Sequence, residues 1–207
     1  MEEIDKVYLF TLGNSAVGKT SFILRYTKNT FNNEYISTVG IDFLTKNALL
    51  PNGEKYKVFF YDTAGQEKFL SIALNLMKGA EGILLIYDVT KRNTFEAITG
   101  WVESIKEQKG ENFPVVLIGN KCDLNEEREV DKEEGENEAK KNGFLFFETS
   151  SKDGTNVEEA TIALISKVIE LKKNQNTEKD DTDQNTKKSY KLNAKKIKKK
   201  RHSCCLK

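Results

Sequence analysis

Between Val7 and Thr27 the chain runs apolar, then glycine-rich, then amphipathic, and this succession limits the possible fold more than any other stretch. Val7 to Leu12 is a short apolar run that reads as a strand. Gly13-Asn14-Ser15-Ala16-Val17-Gly18-Lys19-Thr20 then matches the pattern G-x-x-x-x-G-K-[ST], and Thr20 to Thr27, with Phe22, Ile23 and Tyr26 at helical spacing, reads as a helix. The glycines let the backbone curl so that successive N–H groups face one point, and the helix behind directs its positive end at the same point. Such a loop suits phosphate: Asn14, Ser15, Ala16, Val17, Gly18, Lys19, Thr20 and Ser21 are the candidate contacts, with Lys19 reaching terminal phosphates and Thr20 a ligand for Mg²⁺. A chance glycine-rich turn is the bland alternative, but a strand before and a helix after is the setting the pattern demands.

Downstream the same alternation continues. Ile41 to Leu50 and Lys55 to Tyr61 flank Pro51-Asn52-Gly53, a turn that joins two strands into a hairpin. Strand Gly82 to Asp88, helix Thr94 to Gln108, strand Pro114 to Ile118, helix Lys132 to Lys141, strand Phe144 to Glu148 and helix Val157 to Leu171 follow. Strands this apolar, alternating with helices, predict an α/β fold with a mostly parallel sheet covered on both faces.

Composition sets the outer limits. The 207 residues suit one domain and a tail. The longest apolar runs, Ile83 to Tyr87 and Pro114 to Ile118, are far short of the roughly 20 residues that span a bilayer. The start, Met1-Glu2-Glu3-Ile4-Asp5, is acidic where a secretory signal would be basic, and Glu2 stands where myristoylation requires a glycine, so the expected side is cytosolic. Three cysteines give no disulfide framework, and the single histidine, His202, argues against histidine catalysis. Charge is divided unevenly: residues 1 to 176 hold 22 Lys+Arg against 28 Asp+Glu, whereas residues 177 to 207 hold 11 against 4. The expected division is a domain over 1–172 and a disordered basic tail over 173–207, too poor in apolar residues to offset its ordering entropy.

Three further segments carry chemistry. Asn120-Lys121-Cys122-Asp123 follows an apolar strand, and the Asp123 carboxylate can accept two hydrogen bonds at once, matching the adjacent N1–H and 2-amino donors of guanine. Adenine offers no such pair and would leave a buried acceptor unsatisfied. Lys121 would cover the base and Asn120 would tie this loop to the phosphate loop. In isolation the tetrapeptide is an ordinary solvated loop. Asp62-Thr63-Ala64-Gly65-Gln66-Glu67 closes the second hairpin strand: Asp62 suits the Mg²⁺ shell, Gly65 can offer a backbone N–H to a third phosphate, and Gln66 can orient an attacking water. Thr38 could complete the metal ligands once a third phosphate draws its loop in. Together these segments form a triphosphate sensor.

These residues resemble the small Ras-like GTPases, and within them the Rab group, over about residues 7 to 172. Glu148-Thr149-Ser150-Ser151-Lys152 is similar to that family's further guanine loop, with Ser150, Ser151 and Lys152 at the base. The Rab character lies in Val39-Gly40-Ile41-Asp42-Phe43, Glu67-Lys68-Phe69, Lys78-Gly79-Ala80 and Leu85-Ile86-Tyr87-Asp88-Val89-Thr90. The resemblance implies a P-loop NTPase with a six-stranded sheet, one strand antiparallel, and five helices. It also implies a monomer that cycles between GTP and GDP, regulates vesicle and membrane traffic, and hydrolyses slowly until an activating protein acts. Exchange factor, effectors, prenylation escort and GDP-dissociation inhibitor are the implied partners, and nucleic acid is not among them. The sequence departs from the group at Tyr61, where Trp is usual, at Lys68, at Leu76-Met77 and at Ser15-Ala16. Nucleotide chemistry should survive all four. Phe43, Tyr61 and the Leu76-Met77 pair are expected on the surface that effectors read.

The tail ends Lys195-Lys196-Ile197-Lys198-Lys199-Lys200-Arg201-His202-Ser203-Cys204-Cys205-Leu206-Lys207. A basic run alone reads as a solvated segment, a nuclear signal or a nucleic-acid contact. The paired Cys204 and Cys205 resemble Rab tails in which both carry geranylgeranyl groups, which implies the cytosolic face of intracellular membranes with a cytosolic pool. Two other classes stay open: a scaffold that binds nucleotide without hydrolysing it, and an RNA-linked GTPase whose tail contacts RNA.

Overall fold

The computed structural model describes residues 4–32, 41–63, 75 and 77–174. Its elements in chain order are β1 (Asp5–Leu12), α1 (Lys19–Lys28), β2 (Ile41–Leu49), β3 (Lys55–Thr63), β4 (Gly82–Asp88), α2 (Arg92–Glu96), α3 (Ile98–Lys109), β5 (Val115–Asn120), a 3₁₀ turn (Asn125–Glu127), α4 (Lys132–Asn142) and β6 (Leu145–Thr149), followed by α5 over residues 157–174. The six strands form one sheet in the order β2-β3-β1-β4-β5-β6. Only β2 and β3 run antiparallel. Their hairpin closes where Gly53 N–H donates to the Leu50 carbonyl and Leu50 N–H to the Glu54 carbonyl, each at 2.9 Å.

All seven residues of β4 and all six of β5 are buried, because helices cover both faces of the sheet. On one face Phe10, Ile83, Leu85 and Leu117 pack with Ile98, Val102 and Ile105 of α3 and Ala139 of α4. On the other, Leu9, Leu164 and Val168 close over Gly82, and the rings of Tyr26 and Phe60 meet edge to face at 5.4 Å. Each such side chain contributes about 1.5–3 kcal/mol relative to exposure. The parallel strands deliver their C-terminal ends to one edge. In register there stand Asp88, Asn120 and Thr149, with Asp62 near the end of β3.

Helix ends follow their sequence. Asp131 caps α4, whose Glu134 side chain returns to accept from the Asp131 N–H at 3.1 Å. The same carboxylate takes both guanidinium arms of Arg92, at 2.5 and 2.8 Å. The predicted helix Thr94 to Gln108 is instead two pieces, α2 and α3, parted at Ala97. Buried Thr94 accepts from the Asp88 N–H at 3.0 Å, which fastens the first piece to the end of β4.

One expectation is corrected. Met77 is not on the surface: it is fully buried in the cluster with Ile83 and Ile98. An unbranched thioether fills an irregular core gap, so this residue supports the fold. The Leu76 side chain lies outside the described residues. No helix among the described residues is long and apolar enough to cross a membrane.

The Tyr87 hydroxyl is buried with no hydrogen-bond partner among the described residues, and burial keeps its pKa above the usual phenol range. Tyr87→Phe should therefore stabilise the fold by about 1 kcal/mol, since it removes a desolvated donor without opening a cavity. A urea midpoint that rises with unchanged slope would bear this out; a lower midpoint would show that the hydroxyl has a partner.

Candidate nucleotide-binding site

Both glycines of the phosphate loop are required by geometry. Gly13 adopts φ +132°, and a Cβ there would lie 2.0 Å from the Ile86 carbonyl oxygen; Gly18 adopts φ +98°, with its Cβ position 2.3 Å from Asn120 Nδ2. No other residue fits either place. Between them Ala16 also takes a left-handed conformation, φ 63°. Gly18 leads directly into α1, where Lys19, Thr20 and Ser21 form the first turn. Lys19 is 5% exposed, and its ammonium donates to the carbonyls of Gly13 at 2.9 Å and Asn14 at 2.7 Å. Burial lowers its pKa to about 8, against an opposite pull from Asp62.

Thr20 Oγ1 donates to Asp62 Oδ2 at 2.6 Å. Asp62 is fully buried, and its Oδ1 has no hydrogen-bond partner among the described residues. Burial pushes the carboxyl pKa up, while the Thr20 hydroxyl and the Lys19 ammonium pull it back and Asp42, opposite it in the hairpin, adds to the rise. A buried carboxylate beside a hydroxyl is a set of hard donors that fits Mg²⁺, which takes few protein ligands and completes its shell from phosphate and water. Thr38, Gly65 and Gln66 lie outside the described residues.

The base loops converge on Asn120, which is 1% exposed. Its Nδ2 donates to the Val17 carbonyl at 2.8 Å. Its Oδ1 accepts from Thr149 Oγ1 at 3.1 Å, Ser151 N–H at 3.3 Å and Ser151 Oγ at 3.2 Å. One carboxamide thus ties its own loop to the glycine-rich loop at Val17, as expected of this residue, and also to the segment at Thr149 and Ser151. Lys121, at φ 68°, places its ammonium 2.6 Å from Asp88 Oδ2. Asp88 is buried, and its Oδ1 accepts from the Thr90 N–H and hydroxyl at 2.9 and 2.7 Å. The Asp123 side chain, 16% exposed, lies 3.9 Å from Lys152 Nζ. Ser150 Oγ accepts from the N–H groups of Lys152 and Asp153, each at 3.2 Å, which folds that loop on itself.

Sequence reasoning missed three supports. Arg25 of α1 donates to the Ser151 carbonyl at 2.8 Å and to that of Lys152, so the phosphate helix also holds a base loop. Asp88 anchors Lys121. Trp101 of α3 donates to Asn14 Oδ1 at 2.9 Å. Each pairs residues remote in sequence, so no spacing betrays them.

A model of the Ras family matches residues 8–170. The chain belongs to the Ras family. Ras-related protein Rab-13 of Canis lupus familiaris is 44% identical over 161 residues, 78% of this chain and 79% of that protein. Rab-8B of Pongo abelii is 43% identical over 165 residues, 78% and 79% of the two chains, and Rab-3C of Bos taurus 42% over 157 residues, 76% and 69%. Within the family this chain is a Rab-type small GTPase, a guanine-nucleotide switch that hydrolyses GTP and serves vesicle traffic through regulators and effectors.

For this GTPase the buried Lys19 makes stability depend on pH. Its pKa of about 8 in the folded, nucleotide-free protein lies below its ordinary value of 10.5, so the unfolded chain binds more protons between those limits. Stability of the nucleotide-free protein should rise by about 1–3 kcal/mol from pH 8 toward 10. Urea melts across that range should show the rise in the wild type and lose it in Lys19→Met.

Proposed function

We propose that this GTPase binds GTP and GDP between the phosphate loop, Asn14 to Ser21, and the two base loops, and that Gln66 orients the hydrolytic water. The observation that carries this is the Asn120 carboxamide, bonded to Val17 on one side and to Thr149 and Ser151 on the other. It presets the distance between a phosphate cradle and a base pocket, which is the demand a nucleotide makes. Backbone N–H groups and Lys19 take the phosphates. Mg²⁺ would be held by Thr20, Asp62 and Thr38, and when bound it supplies positive charge to the phosphate oxygens. Thr38 and Gly65 sense the third phosphate, and its loss releases both segments.

Asp123 reads guanine with two acceptors. Lys121, its head held by Asp88, offers the base its methylene stem, while Ser150, Ser151 and Lys152 close the far side. The sequence contains no evident arginine finger, and such a residue raises the rate ~10³- to 10⁵-fold in this class, so fast turn-off falls to an activating partner. Phe43, 58% exposed, packs edge to face on Tyr61 with ring centroids 4.9 Å apart, and this pair offers effectors an aromatic surface.

Cys204 and Cys205, outside the described residues, are the proposed prenylation sites. Prenylation escort and GDP-dissociation inhibitor are the matching partners, and the cytosolic face of intracellular membranes is the matching location.

Asp123→Asn tests the base assignment, because the amide offers one acceptor and one donor where guanine needs two acceptors. Guanine nucleotide affinity should fall by ~10²-fold or more, and xanthine nucleotides, with a carbonyl in place of the 2-amino group, should bind better than guanine ones. Competition titration decides; retained guanine preference would move base recognition to another residue.

Cys204→Ser with Cys205→Ser keeps every basic residue and removes only the thiols. The variant should become wholly cytosolic on fractionation, since screened basic charge without an apolar anchor binds a leaflet weakly. Undiminished membrane association would leave the lysines as the contact and favour the nucleic-acid class.

A further inference from the structure

Trp101 lies on α3, which contributes none of the nucleotide contacts proposed above. Its indole N–H donates to Asn14 Oδ1 at 2.9 Å, a bond that spans 87 positions of sequence. An indole can donate and cannot accept, so it fixes the carbonyl side of the Asn14 carboxamide toward α3. The Asn14 backbone carbonyl is held separately, by Lys19 Nζ at 2.7 Å. Asn14 is therefore gripped at both its side chain and its backbone, one residue after the turn that Gly13 makes at φ +132°.

A tether is only as stiff as its base, and α3 is well secured. Ile98, Val102 and Ile105 are buried in the main cluster, against which the Trp101 ring packs. At the far end of the helix Lys109 donates to the carbonyls of Lys78 at 2.8 Å and Ala80 at 2.7 Å.

We propose that Trp101 is a positioning residue for the nucleotide: through Asn14 it holds the entry of the phosphate loop in its closed course and so slows nucleotide release. The proposal rests on the assignment of residues 13–20 as the phosphate loop. Trp101 touches no nucleotide itself and acts only through the Asn14 side chain. The effect belongs to the rate of release, because the loop must open for phosphate to leave.

The test is a double-mutant cycle on the full chain loaded with GDP carrying a fluorescent ribose label and chased with unlabelled GDP. Trp101→Phe keeps an aromatic ring and removes the donor; Asn14→Ala removes the acceptor and leaves α3 untouched. Each should release the label about 2- to 10-fold faster, the range for a lost neutral hydrogen bond, and the double variant should release no faster than the faster single. Because the chain has one tryptophan, its emission reports the same bond, and Asn14→Ala should shift the emission maximum of the GDP-bound form. Unchanged release, effects that multiply in the double variant, or an unmoved emission maximum would each overturn the tether. Failure of the wild type to retain labelled GDP would instead overturn the phosphate-loop assignment.

Discussion

Three loops that leave three different strand ends are held at fixed distances from one another by the buried carboxamide of Asn120, as the proposed nucleotide site requires. It bonds to the backbone of one loop and to backbone and side chains of another, at 2.8 to 3.3 Å. An amide carries two donors and an acceptor with two lone pairs, which no carboxylate or hydroxyl of similar size can match. Shortening it would strand the Val17 carbonyl, the Thr149 hydroxyl and both donors of Ser151 in a dry interior, at roughly 1–3 kcal/mol for each unsatisfied group. Gly18 follows from the same constraint, because a Cβ there would stand 2.3 Å from Asn120 Nδ2.

Within that frame, charges are placed where the protein alone does not satisfy them fully. Lys19 is pushed toward neutrality by burial, and Asp62 is pushed toward protonation, each partly relieved by the other. A buried carboxylate oxygen without a partner costs stability unless something else neutralises it. Anionic phosphate beside Lys19 and a cation beside Asp62 would relieve both costs together.

Legibility of the sequence followed the range of the interaction. The phosphate loop, the hairpin turn and β4 are local patterns, and β4 keeps the predicted bounds Gly82 and Asp88. The break at Ala97 was not legible, because it arises where Thr94 bonds to the end of β4. Met77 misled for a related reason: its place in the effector-facing pattern suggested exposure, while its neighbours in space bury it. Arg25, Asp88 and Trp101 act on residues remote in the chain, and no periodicity records such pairings. Thr38, Gly65, Gln66, Cys204 and Cys205 lie outside the described residues.

The proposed effector surface and the proposed metal site are separated by a single peptide bond in β3. Successive side chains of a strand point to opposite faces, so Tyr61 turns toward Phe43 and Phe10 while Asp62 turns to Thr20. A change of Trp to Tyr at residue 61 can therefore reshape the aromatic surface without moving the carboxylate beside it. The two sides still share a backbone: the Thr11 hydroxyl donates to the Tyr61 carbonyl at 3.2 Å, within β1 as it runs into the phosphate loop. A partner that presses on the Tyr61 ring thus presses on a strand whose next residue belongs to the proposed metal site.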